Sequence, residues 1–106
     1  MKLEDMKKLQ TLQTATIAEA MKDEDTFFYV VECLNRFYSG DYGEVCQEDT
    51  EANNADLEAG SGHVLARYKA RGILEGDFYI EAHFEMEAPL EDVNYNHIMI
   101  MYPSER

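Results

Sequence analysis

The chain has 106 residues and carries 22 Asp and Glu against 9 Lys and Arg, a formal charge of −13. That length holds one domain with one modest core. The charge repels nucleic-acid backbones and anionic membranes, which argues against direct DNA, RNA or membrane binding and favours basic partners or cations. Hydrophobic residues at 45%, seven Tyr and five Phe among them, exclude a disordered chain, which is poor in both.

The first dozen residues fit two patterns. Leu3, Met6, Leu9 and Leu12 suit a helix, while "KLQTLQT" alternates like a short strand. "TATIAEAMKD" predicts a short helix capped by Thr14 or Thr16, with Ile17, Ala20 and Met21 on one face. A longer helix follows, started by Asp25 or Thr26 and stopped by Ser39-Gly40. Phe27, Val30, Val31, Leu34 and Tyr38 form its apolar stripe, widened by Phe37. Cys33 lies inside it, where a thiol packs and does not react. The stretch from Gly40 to Gly60, "GDYGEVCQEDTEANNADLEAG", is dense in Asp and Glu and has no Lys or Arg. It predicts a half-ordered connector with a helical turn or two, anchored by Val45 and Leu57, with Gly40, Gly43, Gly60 and Gly62 as turning points.

The second half predicts strands. In "HVLARYKA", Val64, Ala66 and Tyr68 alternate with Leu65, Arg67 and Lys69. In "DFYIEAHFEME", Phe78, Ile80, Ala82, Phe84 and Met86 face the core, and Tyr79, Glu81, His83, Glu85 and Glu87 face water. "NHIMIMY" is apolar on both faces, so both are partly covered, and Pro103 ends it. Short links, "RGILEG" and "APLEDVNYN", suit antiparallel neighbours. The fold class is α+β: two or three helices packed on a three-stranded, or at most four-stranded, antiparallel sheet. Cys33 and Cys46 make no disulfide framework, and "MKLEDMKKLQTLQTATIAEAM" has no continuous apolar leader. The reading is of a cytoplasmic protein with reduced thiols.

"SGDYGE", "EDTEANNADLEAGSGHVLARYK", "FYIEAHFE" and the terminal "IMIMYPSE" together resemble a family of short "plasmid related" proteins of bacterial plasmids and integrated mobile elements. The resemblance covers residues 27–106. Its specific parts are the Gly-Asp-aromatic-Gly step, the Asn before the Leu-x-x-Gly turn, and the Pro-x-Glu ending. "MEAPLEDVNYN", between the last two strands, is longer than the family pattern. The resemblance implies a role in transfer or in countering host defence, and it implies no catalytic residue.

Metal chemistry has five soft or borderline candidates, Cys33, Cys46, His63, His83 and His97, but every gap between them exceeds the short spacing of zinc pairs. His83 and His97 lie on successive strands and meet only if the register suits. No calcium loop is present, although Glu48, Asp49, Glu51 and Asn53 lie close together. Ser39 and Ser61 flank glycines outside any nucleophile elbow, and no phosphate-cradling loop appears. No role-complete catalytic set emerges, and no cofactor is expected.

Recognition remains. The connector offers Asp41, Tyr42, Glu44, Glu48, Asp49 and Glu51, and the outer face of the central strand offers Tyr79, Glu81, His83, Glu85 and Glu87. Successive same-face strand positions stand roughly 6.5–7 Å apart. A rigid carboxylate array at that spacing suits a basic groove meant for nucleic acid, with tyrosines as anchors. The expected function is therefore non-catalytic: engagement of a basic protein, such as a nuclease or other nucleic-acid-binding protein, through this acidic surface. The alternatives are a small metal-dependent or hydrolytic enzyme, and a homodimer or larger homo-oligomer that buries Met99 and Met101 between copies.

Overall fold

A computed structural model describes residues 1–106. The first dozen residues satisfy both of their patterns in turn. Leu3–Lys8 forms a 3-10 turn that buries Met6, and Gln10–Gln13 forms strand β1. Helix α1, Ala15–Ala20, buries Ile17 and Ala20; Thr14 is its N-cap and accepts from the Ile17 amide at 3.4 Å. The Thr14 hydroxyl also donates to Glu105 at 3.0 Å, and Thr16 donates to the other oxygen of the same carboxylate. One side chain thus ties the C-terminal 3-10 turn, Pro103–Glu105, to the start of α1. Thr14→Ala is expected to cost about 1 kcal/mol, read as a shift in the urea midpoint, because both the cap and this tie are lost.

Helix α2 spans Glu24–Tyr38, and its cap is Asp23, upstream of the Asp25 or Thr26 expected. The Asp23 carboxylate accepts from the Thr26 amide at 3.1 Å and the Thr26 hydroxyl at 2.7 Å. The buried face is Thr26, Tyr29, Val30, Cys33 and Phe37. It is turned from the expected stripe, leaving Phe27 42% exposed beside Phe28. Polar handles set this rotation. Tyr29 packs edge-on against Phe78 and donates its hydroxyl proton to the Lys69 carbonyl at 2.6 Å, while Thr26 Oγ1 accepts from the Ile73 amide at 3.1 Å. Both satisfy backbone in the link after the second strand, which a solvent-facing Tyr29 would leave unpaired.

The expected half-ordered connector is a full helix, α3, Gln47–Ala59, closed by Gly60 in the left-handed conformation at φ 74°. Strands β2 (Ser61–Tyr68), β3 (Phe78–Glu85) and β4 (His97–Met101) follow, in the sheet order β1-β4-β3-β2. The β2–β3 and β3–β4 pairs are antiparallel as their short links require. The first strand corrects the all-antiparallel expectation: β1 runs parallel to β4, Gln10 opposite His97 through Gln13 opposite Ile100. Nearly the whole chain connects those two strands, and so long a crossover permits parallel pairing.

Helices α1 and α2 cover the inner face. Val64, Ala66, Tyr68, Phe78, Ile80, Ala82, Phe84, Ile98 and Ile100 pack there against Ile17, Val30, Cys33 and Phe37. Met86 does not join them; β3 ends one residue earlier, and Met86 is 44% exposed. The long link from β3 to β4 is held by Asn96, fully buried. Its amide nitrogen donates to the Glu85 and Pro89 carbonyls at 3.3 and 3.0 Å, and its oxygen accepts from the Glu85 amide at 2.9 Å. No helix is long and apolar enough to cross a membrane.

Candidate recognition surface

The amphipathic signal of α3 is weak, since it buries only Asn53 and Leu57. What holds it is hydrogen bonding to the open edge of β2. Asn53 Nδ2 donates to the Leu65 carbonyl at 2.8 Å, and its Oδ1 accepts from the Leu65 amide at 2.9 Å. The side-chain amide therefore stands where the next strand's peptide group would be. One turn on, Asp56 accepts from the His63 amide at 3.0 Å. On the other side of Leu65, the Arg67 amide donates to the Tyr42 carbonyl at 3.0 Å, and Glu44 N–H donates to the Arg67 carbonyl at 2.7 Å. Five edge backbone groups of β2, from the His63 amide to the Arg67 carbonyl, are thus paired by a helix and a turn, which covers much of an edge otherwise open to another chain.

The sequence-predicted residues of this region separate into two roles. Asp41 and Tyr42 build the turn before α3. Arg36 grips Asp41 through Nε at 2.7 Å and Nη2 at 3.3 Å, the Gly43 amide adds a third donor, and these hold the Asp41 carboxyl below its usual range. Tyr42 is 5% exposed and packs edge-on against Phe37, so it is a core residue and offers no surface anchor. Glu44 stands 3.8 Å from Lys69. Glu48, Asp49, Glu51 and Glu58 are exposed on α3, and none of the ion pairs in the fold includes them. Glu48, Glu51 and Glu58 share one stripe by helical spacing. The Asp49 charge adds a little to what holds Arg106 protonated, after the larger effect of Glu81.

The strand half of the expected array is different. Alternation puts Tyr79, Glu81, His83 and Glu85 on the outer face of β3, as expected, but that face is not uniformly wet. Glu81 is 2% exposed. Arg106 folds back over it, with Nη2 to Oε2 at 2.7 Å, and His83 Nε2 donates to Oε1 at 3.1 Å. Burial pushes the Glu81 carboxyl up, but the two cationic or N–H partners outweigh it and bring the pKa down to about 2. The Arg106 guanidinium also lies over the Tyr79 ring. Glu85 accepts from Ser61 at 2.7 Å and from the Glu87 amide at 3.1 Å, and both donors lower its pKa. An evenly spaced row of free carboxylates along β3 is therefore absent.

The register also brings together what spacing in the sequence kept apart. His63 pairs with His83, and His83 with His97, so three imidazoles stand in one row across three strands. Their ring centres are 5.8 and 5.0 Å apart. Met99 and Met101 lie on the same face, Met99 half-buried and Met101 buried within the single chain. Asn53, Arg106 and this row were not legible as functional or structural anchors from the sequence; only His83 and His97 carried a signal, through their places on neighbouring strands. No protein-family model matches the chain, and no curated protein or solved structure matches it.

Proposed function

We propose that this chain is a non-catalytic accessory protein of a mobile genetic element, working in the cytoplasm, that binds a basic nucleic-acid-handling protein through the acidic face of α3. The mobile-element setting rests on the resemblance across residues 27–106. The binding reading is supported above all by one observation: Glu48, Glu51 and Glu58 stand outside every ion pair, Glu51 accepting only from the neutral Gln47 amide, on a helix that Asn53 and Asp56 fix to the sheet. The helix rises ~1.5 Å per residue, so these carboxylates span about 15 Å along a rigid rod. Carboxylates held in place lose less conformational freedom on docking than carboxylates on a loose chain. Six of the nine bases are already engaged with local acids, which leaves the α3 face without internal counter-charge. A groove lined by Lys and Arg, shaped to take a phosphate backbone, is the complementary surface, and a nuclease of a host-defence system is the partner class that fits.

The test is binding to a panel of basic DNA-handling host proteins, with duplex DNA as competitor. Affinity is expected to fall as salt rises from about 0.05 to about 0.3 M, since the contact is charge-led and screened. Glu48→Lys with Glu51→Lys and Glu58→Lys is expected to weaken it at least about 100-fold, with the fold unchanged by circular dichroism. Binding that ignores both salt and this triple reversal would overturn the reading.

A further inference from the structure

The two edges of the sheet are treated differently. Along β2, five outward backbone groups are taken up by α3 and the turn before it. Along β1 they are not. Successive residues of a strand aim their N–H and C=O to opposite sides. The Thr14 amide donates to the Ile100 carbonyl at 3.1 Å, and β1 lies in register with His97 to Ile100, so Gln10, Leu12 and Thr14 face β4. Thr11 and Gln13 therefore face outward with two donors and two acceptors, and no turn, cap or side chain pairs with them. The flanking elements leave this side clear: the 3-10 turn buries Met6 in the core and packs on α2, and α1 packs on β4. The strand also lacks the charge, proline or bulge that shields many open edges, since its sequence is QTLQ in unbroken register.

Such an edge takes another strand, and charge narrows the choice to this chain itself. Leu9 to Ala18 holds no charged residue, and residues 1–18 carry three Lys against one Glu and one Asp, so the net acidity lies wholly in the remainder. Two acidic copies can meet here without setting carboxylate against carboxylate, whereas a basic partner is drawn to the acidic faces instead. The strand is also self-complementary about Leu12. In an antiparallel pair centred there, Thr11 of each copy exchanges both backbone bonds with Gln13 of the other, which satisfies all the outward groups of both edges. The two Leu12 side chains then meet as the closely spaced, non-hydrogen-bonded pair, on the outer face beside Met99. We propose that two copies of this chain join their β1 strands antiparallel about a twofold axis at Leu12, making one continuous sheet. A dimer through the outer sheet face has less to gain, because Met101 is already buried within the single chain.

The test follows the full chain by sedimentation equilibrium and amide hydrogen exchange from micromolar to millimolar concentration. The contact is small and the strand short, so a dissociation constant of about 10–100 μM is expected. Exchange at the Thr11 and Gln13 amides is expected to slow as dimer forms, while Gln10 and Leu12, bonded to β4, stay protected throughout. Salt separates this contact from charge-led partner binding. Raising it from about 0.05 to about 0.3 M screens the repulsion between two acidic copies and is expected to tighten the dimer. Thr11→Pro removes an outward donor from each copy and none from the β1–β4 ladder, and is expected to weaken the dimer at least about ten-fold. Leu12→Glu sets two carboxylates on the axis and is expected to do the same. A monomer mass at about 1 mM, ten times or more the expected constant, would overturn the proposal. So would Thr11 and Gln13 amides whose exchange ignores concentration, or a dimer that both variants leave intact. The first two readings are made on the parent chain and stand whether or not a variant folds. The charge reversals on α3 lie at the opposite edge of the sheet, so the two proposals fail independently.

Discussion

Asn53→Ala is expected to destabilise the fold by about 2–4 kcal/mol, because it strips partners from two partly buried backbone groups at once. The Leu65 amide and carbonyl both end on the Asn53 side chain, and an alanine methyl replaces neither bond. Denaturant melts would show the loss, and hydrogen exchange would locate it, with the Leu65 amide and α3 losing protection before the β3–β4 core. Asn53→Asp separates the two bonds: its oxygen still accepts from the amide, but a carboxylate facing the Leu65 carbonyl cannot donate. An intermediate or larger loss is expected there. A melt of Asn53→Ala that overlays the parent would show that α3 stands without its clamp, and would remove the rigidity on which the proposed recognition role depends.

The second large effect concerns acid. Glu81 titrates at about 2 in the fold against an ordinary 4.5. Because the folded value is the lower one, the unfolded chain binds the extra proton between those values. The contribution of Glu81 to stability is therefore complete above about pH 4.5 and is lost as pH falls toward 2, with about 3 kcal/mol at stake. Other depressed carboxyls, among them Asp23, Asp41 and Glu105, add acid sensitivity of the same sign. The difference between the parent and Glu81→Gln isolates the one group. Urea midpoints from about pH 6 down to about pH 2 should converge for the two proteins as the parent loses its charge. At neutral pH, Glu81→Gln is expected to be weaker by about 2–3 kcal/mol, since Arg106 and His83 then face an uncharged amide. Parallel curves would mean that Glu81 is not protected by its partners.

Much of the architecture was readable because periodicity reports burial directly. The inward set Val64, Ala66, Tyr68, Phe78, Ile80, Ala82 and Phe84 follows from alternation alone, and each is buried. The failures share a cause: they concern polar side chains whose partners are distant in sequence. Helix α2 has apolar residues without a break from Phe27 to Val31, so its apolar arc is too broad to choose a rotation, and the choice is made by Thr26 and Tyr29 bonding the backbone near residues 69–73. Asn53 looks like any exposed helical asparagine until the edge of β2 lies beside it. Glu81 alternates as a wet residue should, and is dry only because Arg106, 25 positions away, closes over it. The histidine row depends on strand register, which the links fix and their sequences do not spell out.

The parallel pairing of β1 with β4 bears on how the molecule comes into being. Gln10 finds its ladder partner in His97, so the earliest made of these four strands waits for the latest. Until then Leu9, Leu12 and the first helix have no sheet to rest on, and the incomplete chain presents bare apolar side chains to its surroundings. Such late closure of a distant contact slows maturation and lengthens the window for association between nascent copies. The heavy negative charge, whatever it does in the finished protein, keeps those copies apart meanwhile.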